Sequence, residues 1–254
     1  MAKNLLLLSN TTNAGEKPLE HAVEEIKNIL QGRTTVTFIP YANPDGVGYQ
    51  AYAERLQPVF VEMGYQLQLV DPTDPRRSVA GTEALFVGGG NTFELLRRLK
   101  EYGLMHPIRE AVNRGVPYIG SSAGSVVAGL TIGTTNDMPA ADSYGRDALA
   151  LIPFNLNCHY QDTVQLTPTQ KAAALDAVPQ LRVILDHQGE TRDERLREYH
   201  ALGNLETIVA LREGAMLRVI GDAVYLKGKT GARVFRPKEE PVELATESEA
   251  VRFV

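Results

Sequence analysis

The chain has 254 residues and one cysteine, Cys158, which excludes an internal disulfide and a cysteine-rich metal site. It also lacks a long hydrophobic run, because the four leucines at residues 5–8 are followed by polar residues. Such a run is shorter than the core of a signal peptide and far shorter than a membrane span. We therefore expect a cytoplasmic protein with no membrane partner.

Basic clusters, linkers and repeats are absent from the sequence as well. The net charge is −5 and lysine and arginine form no patch, so we expect no nucleic-acid partner. No stretch rich in proline, glycine or serine divides the chain, and its hydrophobic (43%) and charged (22%) fractions are typical of a globular protein. A chain of this length suffices for one large α/β domain and is marginal for two. We predict a single domain over residues 1–254.

The first two-thirds of the chain alternates short apolar stretches with longer amphipathic ones. The apolar stretches, which predict strands, lie at residues 5–9, 35–40, 65–70, 84–89 and 117–121. Several are apolar on successive residues, as in strands that are covered on both faces. The alternation predicts a three-layer α/β/α fold with a mostly parallel central sheet. The last third has short strand-like pieces separated by glycine-containing turns, which predicts C-terminal β-hairpins.

Two adjacent serines stand between glycines in the sequence GSSAG at residues 120–124. The stretch fits the pattern G-x-S-x-G, with Ser122 at its centre, an apolar strand before it and a helix-forming stretch after it. At such a sharp turn the central hydroxyl projects over the end of the sheet as a nucleophile, and the N–H of Ala123 can stabilise an oxyanion. In the alternative interpretation, Ser121 and Ser122 only cap a helix.

A second glycine cluster, at residues 88–90 in FVGGGNTFELL, also follows a strand and opens into a helix. Strands that are consecutive in sequence are usually neighbours in a sheet, so this cluster should lie beside Ser122. Gly89 and Gly90 can then offer a second N–H to the oxyanion. Asn91 could bind substrate, or it could cap the helix that follows. Phosphate binding is less favoured, because the sequence has neither G-x-G-x-x-G nor the P-loop lysine here.

A serine nucleophile needs a base, and His159 is the candidate because it ends a strand-like stretch, where residues reach the active edge of a sheet. Cys158 precedes it on the strand and must point to the opposite face, so the two cannot form a Cys–His pair. Two acids, Asp137 in TTNDMP and Glu213 in ALREGA, could orient the imidazole. Each could equally be an exposed turn residue, and the residues alone do not choose between them.

Six motifs resemble the peptidase E family of α-aspartyl dipeptidases, in the order LLLLSN, VGGGNTFELL, YIGSSAG, TTNDMP, LNCH and GETRDER. The resemblance runs over nearly the whole chain. It implies a serine peptidase with a fold akin to class I glutamine amidotransferase domains. Such enzymes remove N-terminal aspartate from dipeptides without a metal or other cofactor. The resemblance also implies that the protein is a homodimer. It implies a small peptide as the substrate.

The resemblance gives roles to individual residues in catalysis. Ser122 matches the nucleophile of the family and His159 matches its histidine. Asp137 matches an aspartate implicated in catalysis, and Glu213 matches a glutamate proposed as the third member of the triad. Both acids therefore stay open as the partner of the histidine.

The resemblance also implies three residues that bind substrate. Arg192 in GETR would hold the aspartyl carboxylate, which a guanidinium can grip with two parallel hydrogen bonds. Asn91 matches the asparagine of the family's GGGNT motif. Asp162 matches an acidic or amide residue just after the histidine, and it could receive the free α-amino group. That contact would restrict cleavage to the first residue of the peptide.

The chain departs from the family in two places. Cys158 stands where the family tends to have proline, and a longer segment separates His159 from GETR. Within that segment Thr167, Pro168 and Gln170 predict the start of an added helix. Such an element could reshape the pocket or the dimer contact, which leaves open a related peptidase with a different N-terminal specificity.

Two other classes of protein remain as alternatives. A serine esterase of the α/β-hydrolase type shares the G-x-S-x-G pattern, although here the acid and histidine follow the serine too soon and no late histidine lies near the C-terminus. A non-catalytic binding protein that retains the sharp turn is the other alternative.

Overall fold

The structure, a computed structural model, describes residues 2–43, 47–162, 167–178 and 189–246. Its strands are β1 (Asn4–Leu8), β2 (Thr35–Ile39), β3 (Gln66–Leu69), β4 (Leu85–Val87), β5 (Tyr118–Ser121), β6 (Asn155–Tyr160), β7 (Ile208–Arg212), β8 (Ala215–Ile220), β9 (Ala223–Gly228), β10 (Ala232–Phe235) and β11 (Val242–Leu244). Its α-helices are α1 (Val23–Ile29), α2 (Val47–Glu62), α3 (Pro75–Ala80), α4 (Thr92–Glu101), α5 (Met105–Asn113), α6 (Ala123–Val126), α7 (Pro168–Ala177) and α8 (Arg192–Ala201).

The main sheet has seven strands within the described ranges, in the order β3-β2-β4-β5-β1-β8-β9. The first five run parallel, β8 pairs antiparallel with β1, and β9 pairs antiparallel with β8. The four leucines at residues 5–8 form most of β1 and are all fully buried. Successive side chains on a strand point to opposite faces, so a strand between two helical layers must be apolar at every position.

Two hydrophobic cores lie on the two faces of this sheet. Leu5 and Leu7 belong to one core, together with apolar residues of α4 and α5. Leu6 and Leu8 belong to the other, together with apolar residues of α1 and α2. The predicted three-layer α/β/α fold with a mostly parallel sheet is confirmed.

A second, smaller sheet has the order β11-β10-β7-β6 among the described residues. Its strands β6 and β7 run parallel, whereas β10 pairs antiparallel with both β7 and β11. The predicted C-terminal hairpins exist as β8–β9 and β10–β11. The sequence does not reveal that β7 and β8 belong to different sheets, because both are short apolar strands joined by a tight turn. At that turn Gly214 has φ 81°, and the chain crosses from the small sheet to the main one.

The added helix expected between His159 and GETR is α7. Thr167 and Gln170 form a reciprocal capping box and Pro168 occupies the first turn, as the sequence predicts. The rest of that segment, residues 163–166 and 179–188, lies outside the described residues. Of the helices that the structure describes, none combines the length and the apolar character needed to cross a membrane.

Candidate active site

Ser122 lies on a sharp turn between β5 and α6. Its backbone has φ 51° and ψ −113°, a conformation that non-glycine residues rarely adopt and that costs on the order of 1–3 kcal/mol. A Cβ on Gly120 would lie 2.5 Å from the carbonyl oxygen of Gly124, and one on Gly124 would collide with the carbonyl oxygen of Val87. Both glycines are therefore required for the tight approach of strand, turn and helix.

The two serines of the turn have different partners. In the part of the chain that the structure describes, the Ser122 side chain makes no capping hydrogen bond to α6. The Ser121 hydroxyl lies 2.7 Å from Thr11 Oγ1 and is fully buried. The helix-capping interpretation of these serines is therefore wrong, and Ser122 is the one whose hydroxyl faces other functional groups.

His159 contacts the Ser122 hydroxyl directly. Ser122 Oγ lies 2.8 Å from His159 Nε2. The register of β6 against β7 shifts between Asn157 and Tyr160, and His159 has φ 56° within this irregular stretch. Cys158 is buried in the core, and burial raises the pKa of its thiol, so it packs as an apolar residue.

Ser9, which the sequence analysis did not single out, holds the backbone of His159. The His159 N–H donates to Ser9 Oγ at 2.9 Å, and the Ser9 hydroxyl donates to the Leu211 carbonyl oxygen at 2.9 Å. The Ser9 N–H donates to the Ala215 carbonyl oxygen. One buried residue at the end of β1 thus connects the histidine to both strands that flank Glu213.

Glu213 completes a line of three side chains. Its Oε1 lies 3.1 Å from His159 Nδ1, and its side chain is half-exposed. The turn that carries it is held from two sides: Gly214 N–H donates to Asn10 Oδ1 at 2.8 Å, and the Thr230 hydroxyl donates to the Glu213 carbonyl oxygen at 2.6 Å. A carboxylate on Nδ1 leaves Nε2 free to accept the serine proton, because it favours the tautomer with hydrogen on Nδ1.

Asp137 lies at the start of α4. Its Oδ2 accepts hydrogen bonds from the Thr92 N–H (2.7 Å), the Thr92 hydroxyl (2.5 Å) and the Thr135 hydroxyl (3.1 Å). A carboxylate at a helix N-terminus satisfies free N–H groups and the helix dipole. Of the two acids that the sequence left open, the structure therefore brings Glu213, and not Asp137, to the imidazole.

The backbone groups predicted for an oxyanion surround Ser122. A Cβ on Gly89 would lie 3.0 Å from Ser122 Cβ, so the two residues are in contact. Gly90 has φ 138°, and a Cβ there would lie 2.6 Å from the carbonyl oxygen of Ala42. Ala123 is the first residue of α6, where an N–H has no acceptor inside the helix. The Gly89 N–H donates to the Tyr52 hydroxyl at 3.2 Å.

A cavity of about 690 Å³ opens above these groups. Besides Ser122, His159, Glu213 and the glycines, it is lined by residues that the sequence analysis did not predict, among them Asn10, Thr11, Thr12, Asn43, Tyr52 and Arg55. Residues 10–12 directly follow β1, so the rule that sites form at the carboxyl ends of parallel strands could have found them. Tyr52 and Arg55 lie on α2 and carry no such signal.

None of the three predicted substrate-binding residues is among the described residues that line the cavity. Asn91 caps α4, since its Oδ1 accepts from Glu94 N–H at 3.0 Å, and its Nδ2 donates to the Met138 carbonyl oxygen at 2.9 Å. Asp162 forms two hydrogen bonds of 2.6 Å with Arg212, which lower the pKa of its carboxyl. Arg192 is the first residue of α8, behind the capping residue Thr191.

A strained serine, an imidazole and a carboxylate in mutual contact, at the carboxyl edge of a covered parallel sheet, are typical of serine hydrolases. The family model that matches is peptidase family S51, over residues 5–227, and the chain belongs to this family. The membership predicted from the six motifs is confirmed.

Relatives match over nearly the whole chain. A protein of Drosophila melanogaster named as a probable alpha-aspartyl dipeptidase is 42% identical over 249 residues, which cover 96% of this chain and 94% of the relative. Peptidase E of Nostoc sp. is 38% identical over 245 residues, covering 96% and 93%. The crystal structure of a peptidase from an acI-B1 Actinobacterium shares the fold, with a TM-score of 0.69 at 14% identity, covering 100% and 98%.

Proposed function

We propose that the protein is a serine dipeptidase that hydrolyses dipeptides with an N-terminal aspartate. The contact of Ser122 Oγ with His159 Nε2 at 2.8 Å, backed by Glu213 at 3.1 Å, is the observation that carries the proposal. The names of its relatives, peptidase E and alpha-aspartyl dipeptidase, support the substrate class. A cavity of about 690 Å³ lies within the size range of small-molecule sites and suits a dipeptide.

In the proposed mechanism Ser122 Oγ attacks the scissile carbonyl carbon while His159 Nε2 takes its proton. The developing oxyanion accepts hydrogen bonds from the N–H groups of Ala123 and of Gly90, or of Gly89 where the substrate oxygen replaces the Tyr52 hydroxyl as its acceptor. His159 then gives the proton to the leaving amine, which departs as the second amino acid. Water attacks the acyl-enzyme with His159 again as base, and aspartate leaves as Ser122 recovers its proton. Glu213 stabilises the imidazolium in both halves of the reaction.

A serine esterase of the α/β-hydrolase type is not favoured, because the family model and the relatives are peptidases. Labelling with a serine-reactive fluorophosphonate distinguishes a serine dipeptidase from a binding protein without catalytic activity. The proposal expects this reagent to label Ser122 and to leave the Ser122→Ala variant unlabelled.

The test of the proposed function compares three substrates: Asp-Leu, Leu-Leu and Asp-Leu acetylated at its amino group. We expect cleavage of Asp-Leu only. Chromatography of the released leucine measures the cleavage. Ser122→Ala should abolish cleavage, whereas the matched variant Ser121→Ala should retain it, because the Ser121 hydroxyl faces Thr11. Equal cleavage of the three substrates, or full activity of Ser122→Ala, would contradict the proposal.

The same proposal includes a homodimer in the cytoplasm. The family resemblance supports the dimer, and the sequence-based expectation above supports the location. Light scattering coupled to size-exclusion chromatography measures the mass in solution, and fractionation of the source cells measures the location. A mass of one chain, near 27.8 kDa, would contradict the dimer.

A further inference from the structure

The residues that line the cavity form two groups that differ in chemistry. The first group is His159, Glu213 and residues 10–12, joined by the hydrogen bond from Gly214 N–H to Asn10 Oδ1. In the second group Gly89 is joined to Tyr52 by a hydrogen bond, and the Arg55 guanidinium carbon lies 4.9 Å from the centre of the Tyr52 ring. The first group contains the base of the reaction and the carboxylate that orients it. The second contains a positive charge.

Arg55 is the one cation among the described residues that line the cavity. The residue is exposed, and within the described ranges no carboxylate forms an ion pair with it. Tyr52 beneath it is fixed, since its ring packs edge-on against Phe38 at 5.1 Å and its hydroxyl is bound to Gly89. A guanidinium that stacks on an aromatic ring is held in place while its N–H groups stay available.

Other arginines on the nearby small sheet are already neutralised. Arg212 pairs with Asp162 and Glu243, and Arg233 pairs with Asp193 and Glu243. These guanidiniums therefore have carboxylate partners within the protein. Arg55 differs because it faces the cavity and its charge has no such partner among the described residues.

We propose that Arg55, stacked on Tyr52, binds a carboxylate of the substrate during hydrolysis. The inference rests on the proposed function, because an Asp-X dipeptide brings two carboxylates, one on the aspartyl side chain and one at its C-terminus. Either can accept two parallel N–H hydrogen bonds from a guanidinium, which a lysine ammonium cannot reproduce. Arg55 also gives the cavity a positive charge, which offsets the repulsion between the Glu213 carboxylate and an anionic substrate group.

The experiment measures binding by calorimetry in the Ser122→Ala background, where substrate stays intact. The ligands are Asp-Leu, Asn-Leu, which lacks the side-chain charge, and Asp-Leu amide, which lacks the C-terminal charge. Arg55→Gln should weaken Asp-Leu binding roughly 10- to 100-fold, and Arg55→Lys should restore only part of it. The same loss in kcat/KM is expected when Ser122 is present.

The three ligands identify the carboxylate. If Arg55→Gln weakens Asp-Leu and Asp-Leu amide but not Asn-Leu, Arg55 binds the aspartyl side chain. If it weakens Asp-Leu and Asn-Leu but not the amide, Arg55 binds the C-terminus. A loss that is equal for all three ligands, or no loss for any of them, would overturn the inference. Arg192→Gln is measured in parallel, and a loss confined to that variant would overturn it too.

Two controls exclude a general effect of charge or of unfolding. Arg33→Gln removes an exposed arginine outside the cavity and should leave binding unchanged. Thermal unfolding of each variant shows that the fold is retained. Failure of the proposed function has a different signature: the unsubstituted protein would then leave Asp-Leu intact and Ser122→Ala would not bind it. Failure of the present inference leaves both cleavage and binding in place after Arg55→Gln.

Discussion

The turn around Ser122 and the part of the cavity lined by Tyr52 and Arg55 are encoded in the sequence in different ways. At the turn, the serine and the two glycines that permit its conformation lie within residues 120–124. A short stretch of sequence is therefore enough to predict the turn and its nucleophile. In the second region Tyr52 and Arg55 come from α2 and Gly89 from the loop after β4, and only tertiary packing joins them. A nucleophile on a strained turn can therefore be predicted from the sequence. A substrate-binding site whose residues come from separate elements cannot.

The two acids left open by the sequence give the largest predicted contrast. Glu213→Gln should lower kcat roughly 10²- to 10³-fold, because the amide no longer stabilises the imidazolium that forms when Ser122 loses its proton. The effect should be below that of a buried carboxylate, since the Glu213 side chain is half-exposed and solvent screens it. Steady-state hydrolysis of Asp-Leu measures it.

Asp137→Asn is the matched control for that prediction. It should lower the free energy of unfolding by about 0.5–2 kcal/mol, since it weakens the contacts at the start of α4, and change kcat less than about tenfold. Urea denaturation measures the first quantity. A larger fall in kcat for Asp137→Asn than for Glu213→Gln would reverse the assignment of the two acids.

The turn itself should be sensitive to a single methyl group. Gly124→Ala places a Cβ against the carbonyl oxygen of Val87, which belongs to β4, so strand and helix must separate. We expect a loss of about 3 kcal/mol in the free energy of unfolding, with loss of hydrolysis. Gly81→Ala is the control, because its Cβ would meet only the Arg77 carbonyl oxygen, at 3.5 Å. If both variants unfold at the same urea concentration, the turn is not as tightly packed as described.

The sequence predicted the elements and the nucleophile because both depend on short-range patterns. The four consecutive leucines of β1 indicate a strand that is buried on both faces, and the glycines around Ser122 indicate a tight turn. Asn91 is harder to interpret, because an asparagine at this position can either bind substrate or cap a helix, and its Oδ1 caps α4. Arg55 carries no local signal, and for Ser9 the sequence indicates only that it follows β1 and not which group it contacts. Their roles depend on what the fold brings next to them, namely a cavity in one case and the backbone of His159 in the other.

Substitution of Ser9 tests the positioning of His159, and we expect a smaller effect on kcat than for Glu213→Gln. Ser9→Ala removes the acceptor of His159 N–H and the donor to Leu211, so the irregular backbone around His159 loses its support. We expect kcat to fall roughly tenfold with KM unchanged, since Ser9 acts on the histidine and not on substrate. The matched variant Ser125→Ala removes another buried hydroxyl, which donates to the Leu8 carbonyl oxygen. Similar losses of kcat in both variants would show a general packing effect.

Asp162 should give the smallest effect, and one that depends on pH. Its hydrogen bonds with Arg212 lower the pKa of its carboxyl in the folded state, so the pair adds stability above the unfolded pKa. That stability is lost as the pH falls through the lowered folded pKa. Because Asp162 is half-exposed, Asp162→Asn should reduce the free energy of unfolding by no more than about 1 kcal/mol at neutral pH. The difference should shrink in strong acid, where urea denaturation of the two proteins converges, and KM for Asp-Leu should change less than about threefold. A large rise in KM instead would show that Asp162 leaves Arg212 to bind the substrate's α-amino group, as the family resemblance implies.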